Sequence, residues 1–366
     1  GAIKFDKPWV YMISGATNAF DKGFDTNTSD NISFFDWRLD IPTFYNTTLS
    51  VGKQKEPISM ERLIGMTFLP MQERTVVSDA LLPSRNFGAV LSGSALNQTV
   101  TWAGGLFNDW IEDEGSFSDN SSQFVGRTTW LPYLSESEDE LIHLAFGLRY
   151  SDAKEGLRYA SEPEFNSSPT FVDTGDIIAD SSLTYNLEAS WRKGPVWLIG
   201  EYTKNTIKAD YLENPELSGY HVSAVYSVTG EMREYNKKSG TFSPLMVARS
   251  VNEGGFIDLV GGTKTFSASN YSVPLLSESD HNESTVEGYR ASFKAWINDN
   301  LTATLTHINQ ESKTVGSWDH QPETLGDLKS SKVIGEFTDD EWNQTSLTLE
   351  GSFNDASFTY AGTFFD

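Results

Sequence analysis

Along much of this chain apolar and polar residues alternate one for one. In residues 183–193, LTYNLEASWRK, one face carries Leu183, Tyr185, Leu187, Ala189 and Trp191, and the other carries Thr184, Asn186, Glu188, Ser190 and Arg192. A repeat of two is that of a β-strand whose faces meet different surroundings. The same alternation runs through residues 301–310, 344–353 and 356–365. Further strand candidates occupy residues 9–18, 31–41, 47–53, 87–95, 98–109, 123–133 and 141–151, separated by turn-forming or acidic residues. Residues 195–204, PVWLIGEYTK, follow Lys193-Gly194 so closely that only a hairpin turn fits between the two strands.

Connection lengths also alternate. Tight links at Lys193-Gly194, residues 298–300 and Asn354-Asp355 contrast with long acidic, Ser- and Asn-rich stretches at residues 109–122, 151–182 and 311–343. Strands of about ten residues, joined by short turns on one side and long loops on the other, predict an all-β chain: an antiparallel transmembrane β-barrel of the outer-membrane type. Trp9, Tyr11, Trp130, Tyr133, Trp191, Trp197, Phe364 and Phe365 fall at or near strand ends, where rings form interfacial girdles. The competing architecture is a soluble β-sandwich or propeller with aromatic core positions, although no fixed-period repeat supports a propeller.

Composition narrows the chemistry. Hydrophobic residues make up only 38% of the 366, aromatics reach 13%, and cysteine is absent. A disulfide framework and thiolate metal sites are thereby excluded, and the chain suits an oxidising compartment. No run of about 18 apolar residues is present, so no transmembrane helix is expected, a criterion that does not bear on barrels. The N-terminus shows no signal-peptide pattern. A formal net charge of −24 argues against nucleic-acid partners, which need a basic face. It implies a solvated acidic surface, or divalent-cation bridging to anionic lipid headgroups. The acidic runs at residues 109–115 and 337–342 read first as solvated extracellular loops and second as Ca²⁺ sites, without an EF-hand pattern. No other cofactor is expected. Nor is an enzyme: the five histidines are scattered, and HExxH, G-x-S-x-G and P-loop spacings are missing, although spacing leaves open a Ser and His brought together by the fold.

One stretch runs against the acidic balance. Residues 50–63, SVGKQKEPISMERL, place Lys53, Lys55 and Arg62 close together, and residues 71–93, MQERTVVSDALLPSRNFGAVLSG, add Arg74 and Arg85. With GLFND, the hairpin YNLEASWRKGPVWLIGEYTK and residues 219–242, GYHVSAVYSVTGEMREYNKKSGTF, these motifs resemble the phosphate-selective porin O and P family of Gram-negative outer membranes over residues 1–255. The resemblance implies passive diffusion of small solutes, including anions such as phosphate, homotrimers, and contact with membrane lipids and lipopolysaccharide. It also implies that residues 55–74 fold into the lumen as a constriction loop. Lys53, Lys55, Arg62, Arg74 and Arg85 are then the candidate anion-attracting residues, on the principle that cations in a narrow pore replace part of an anion's hydration. The competing reading pairs them with Glu56, Glu61 and Glu73 as ordinary loop charges. Residues 63–71, LIGMTFLPM, lack the additional lysines of phosphate-selective members, so a general or weakly anion-selective pore is expected.

From residue 256 onward the likeness changes. VEGYRASFKAWINDNLTATLTHINQ and the segment to Asp366 resemble the barrel of a TonB-dependent receptor, which implies active uptake of a chelate or oligosaccharide. No plug or energy-coupling box accompanies it. A hybrid, an incomplete chain or a composite of two proteins would each explain the change; an incomplete or composite chain is the preferred expectation, with a seam at residues 254–262. Adhesion at the cell surface is a further alternative.

Overall fold

A computed structural model describes residues 1–17, 32–65, 68–71, 73–108, 121–154, 156–161, 172–212, 214–246, 256–269, 283–298, 301–315, 337–353 and 356–365. The alternating segments are strands: β1 (Ala2–Ile3), β2 (Trp9–Thr17), β3 (Ile32–Pro42), β4 (Thr47–Gln54), β5 (Asn86–Ala95), β6 (Val100–Asn108), β7 (Ser122–Leu134) and β8 (Glu140–Ser151). After the short pair β9 (Ala160–Ser161) and β10 (Val172–Asp173) come β11 (Ser181–Lys193), β12 (Val196–Lys208) and β13 (Glu216–Ser227). A second short pair, β14 (Tyr235–Asn236) and β15 (Thr241–Phe242), precedes β16 (Phe256–Ser269), β17 (Glu283–Asn298), β18 (Leu301–Val315), β19 (Phe337–Phe353) and β20 (Ala356–Phe365). Sixteen of them, all but the two short pairs, form one antiparallel sheet in chain order.

The sheet is a barrel with its polarity reversed relative to a soluble protein. Along β11 the buried positions are Ser182, Thr184, Asn186, Glu188, Ser190 and Arg192, while Leu183 and Leu187 are exposed. On β8, His143 is buried and Ile142, Leu144, Phe146 and Tyr150 are exposed. Apolar side chains turned outward and polar ones turned inward are what a wall between lipid and an aqueous lumen requires.

Two expectations change at this level. Residues 311–343 do not form one long loop: Glu311 and Lys313 belong to β18 and pair in register with Glu341 and Asp339 of β19. The acidic run at residues 337–342 is therefore strand, and its successive carboxylates point to opposite faces instead of converging. The acidic run at residues 109–115 lies outside the described residues. Trp197 is no girdle residue either. Leu198 faces outward, which turns Trp197 into the lumen, where its ring packs 4.8 Å from that of Phe242 and its Nε1 donates to Ser190 Oγ at 2.8 Å.

Candidate functional site

The lumen is filled from both ends. Residues 55–85, between β4 and β5, fold inward and carry two short helices, α1 (Met60–Leu63) and α2 (Val76–Leu81). Near the end of β4, Gly52 has a φ of +127° and approaches the Trp37 carbonyl so closely that a side chain has no place there. Ser59 caps α1 by accepting from Arg62 N at 3.1 Å, and Thr75 caps α2 by accepting from Ser78 N at 3.2 Å.

Anchors to distant walls hold the loop across the lumen. Glu56, fully buried, accepts from Arg149 of β8 at 2.7 Å and from Asn86 at 2.7 Å. Ile58 packs on Gly147 so closely that a Cβ there would collide with the Ile58 carbonyl. Farther round, Ser59 Oγ donates to Glu201 of β12 at 2.7 Å, and Arg290 of β17 donates to the Pro70 carbonyl at 2.8 Å.

From the opposite end, the short-turn end, the β14–β15 hairpin enters. Tyr235 OH lies 2.8 Å from His143 Nδ1, and Arg127 donates to the Gly240 carbonyl at 2.9 Å. Arg127 also holds Glu188 through two bonds of 2.7 and 2.6 Å, so a buried ion pair braces the hairpin. The inserts meet where Arg233 donates to the Phe68 carbonyl at 2.6 Å.

Bordered by both inserts is a cavity of about 300 Å³ against the β3–β7 wall. It is lined by Arg38, Asp40, Ser50, Lys55, Arg127 and Lys238, among others. Arg38 is paired with Asp40 at 3.2 Å, and Arg127 with Glu188. Lys55 from the loop and Lys238 from the hairpin have no ion pair among the described residues.

The five expected cations separate into three groups. Lys55 Nζ donates to the Leu63 and Ile64 carbonyls at 3.2 and 3.0 Å, and Arg74 Nη2 shares the Ile64 carbonyl at 3.0 Å. Arg62 is neutralised by Asp79 at 2.7 Å, and Arg85 by Asp36 through two bonds of 3.1 Å. Lys53 is elsewhere: it pairs across strands with Trp37 and Phe87, its Nζ is 5.9 Å from the Phe87 ring centroid, and Trp37 and its strand neighbour Val51 are exposed. Lys53 therefore sits on the lipid-facing side, because Gln54 takes the inward position. Burial, then the charges of Arg74 and Arg85, push the Lys55 ammonium down to about 7.

Sequence reasoning missed Arg38, Arg127 and Lys238. The first two lie on the polar face of alternating strands, a signal that was present; Lys238 became relevant only through the inward fold of its hairpin.

These features, an inverted barrel with an inward loop between its early strands, agree with the comparisons. A family model described as phosphate-selective porin O and P matches residues 4–323. The chain belongs to this family. Porin O of Pseudomonas aeruginosa is 22% identical over 262 residues, covering 64% of this chain and 58% of that protein, so the chain spans 58% of the length of this curated relative. Among solved structures, the trimer form of in-vitro folded OmpT, an outer membrane protein of Vibrio cholerae, aligns with a TM-score of 0.50 at 11% identity, covering 98% of this chain and 91% of that one. Outer-membrane expressed OmpT of Vibrio cholerae gives 0.44 at 11%, covering 91% and 81%. The first of these shows the fold alone; the second adds nothing to it.

Family membership places the protein in the bacterial outer membrane. The receptor likeness expected for residues 256–366 is not shown. The porin family model extends past residues 254–262 to residue 323, and β16 pairs with β13 before it and β17 after it in the same sheet.

Proposed function

We propose that the protein is a porin through which small solutes diffuse passively, with a preference for anions, phosphate among them. The observation that carries this reading is the cavity between the two inserts, where Lys55 and Lys238 face the passage without ion-pair partners among the described residues. A cation at a narrow, poorly hydrated point attracts an anion, and one without a carboxylate partner is not neutralised by an ion pair within the protein. Residues 55–85 are the constriction loop, and the β14–β15 hairpin narrows the same passage from the other end. The trimeric form of the Vibrio cholerae neighbour supports a homotrimer, with membrane lipid and lipopolysaccharide around it. A channel, not an enzyme, is the reading that family membership favours.

Reversal potentials in a planar bilayer under a KCl gradient test the proposal. Chloride should permeate better than potassium, and the double variant K55Q/K238Q should lose most of that preference. Cation preference in the native protein, or an unchanged potential in the double variant, would overturn it.

A further inference from the structure

Lys55 stands in an environment that disfavours its charge. Its own loop brings up Arg62 and Arg74, the loop's end brings Arg85, and of the carboxylates Asp36 is committed to Arg85, and Asp40, which lines the same cavity, to Arg38 and Ser50. A neutral amine satisfies this geometry: its two N–H bonds reach the Leu63 and Ile64 carbonyls, and the lone pair is left over. The side chain lines a cavity of about 300 Å³, so small solutes reach it.

A second observation points to an anion at this place. Arg74, which shares the Ile64 carbonyl with Lys55, has a buried Nε–H with no acceptor among the described residues. Buried guanidinium donors are costly when unmade and bind a carboxylate in preference to most partners.

We infer that Lys55 is a carbamylation site for carbon dioxide, the resulting carboxylate being received by Arg74, whose guanidinium shares the Ile64 carbonyl with Lys55. The amine lone pair attacks the carbon of CO₂, an N–C bond forms, and one C=O π pair moves onto oxygen. One N–H proton passes to water, so Lys-NH₂ and CO₂ become Lys-NH-COO⁻ and a proton, with no oxidation or reduction. The carbamate keeps a single N–H, which it directs to Leu63; the Ile64 carbonyl stays satisfied because Arg74 already donates to it at 3.0 Å. The depressed ammonium of Lys55, at about 7, keeps the amine available near neutral pH. The functional consequence rests on the porin reading: modification puts an anion where the passage otherwise holds a lysine that is cationic or neutral, so dissolved CO₂ lowers chloride preference at constant pH.

The test uses the full chain, folded in detergent and checked by heat-modifiable migration. Protein equilibrated with ¹³C-bicarbonate at pH 7.5 is trapped with a trialkyloxonium reagent and mapped by peptide mass spectrometry. Exposed Lys193 and Lys208 serve as internal comparators. Adduct at Lys55 should exceed that at either comparator by on the order of a hundredfold, since an ordinary lysine is almost wholly protonated at this pH. The R74Q variant, which retains Lys55, should carry less adduct, and excess phosphate should compete. Equal labelling of Lys55 and the comparators overturns the inference, as does R74Q labelling at the native level. The adduct is read without any conductance, so loss of the porin reading and loss of this one are distinguished.

Discussion

At the scale of single residues, partners decide which charges matter. Removing one charge about 5 Å from a passing ion costs about 0.8 kcal/mol under water-like screening, roughly fourfold in permeability ratio. At pH 6, where Lys55 is charged, K55Q should therefore lower the chloride-to-potassium ratio by about that factor, whereas K53Q, on the outer wall, should leave it unchanged; reversal potentials measure both. The pH dependence has a definite sign. Lys55 is protonated below its value of about 7 and neutral above it, so anion preference should fall as pH rises from 6 to 8 in the native protein and stay flat over that range in K55R. Lys53 also shows what the sequence already contained. In TTLSVGKQ, Leu49 and Val51 share a face with Lys53, and those apolar residues mark the lipid side; resemblance grouped the lysine with the pore, while its own strand parity assigned it outward.

At the scale of elements, the inward loop depends on a few fixed anchors. Replacing Arg149 with Gln leaves the fully buried Glu56 carboxylate with Asn86 as its main support, and breaking a buried pair costs about 3–5 kcal/mol. R149Q should raise open-channel conductance and noise, as the loop leaves the wall, while heat-modifiable migration still reports a folded barrel. Gly147→Val should do the same by steric contact with Ile58. Strand existence, type and the short-turn hairpins were legible from alternation, since a period of two is set locally. The insertion of the β14–β15 hairpin was not: its anchors, His143, Arg127 and Glu188, lie far away in sequence, and nothing in YNKKSGTF distinguishes a hairpin inside a lumen from one in water. Trp197 was misread for a related reason, because nearness to a strand end suggests a girdle only when the parity also points outward.

At the scale of the whole molecule, the apolar exterior and polar lumen set which substitutions the barrel tolerates. Leu144 faces outward near the middle of β8, and an arginine there should cost about 2–4 kcal/mol in the midplane of a bilayer. Ser92→Arg, on the lumen side and lining the cavity, should cost less; urea titrations of refolding into lipid vesicles compare the two. The contents of the barrel carry one more implication. Loop 55–85 is fastened to β17 through Arg290 and Pro70, late in the chain, while the hairpin that meets it at Phe68 is made long after the loop. A lumen occupied from both mouths, with cross-ties to strands made much later, is not readily filled after those strands are in place. Assembly should therefore gather the contents first, with the later strands zipping around them like staves raised about a cargo already in place.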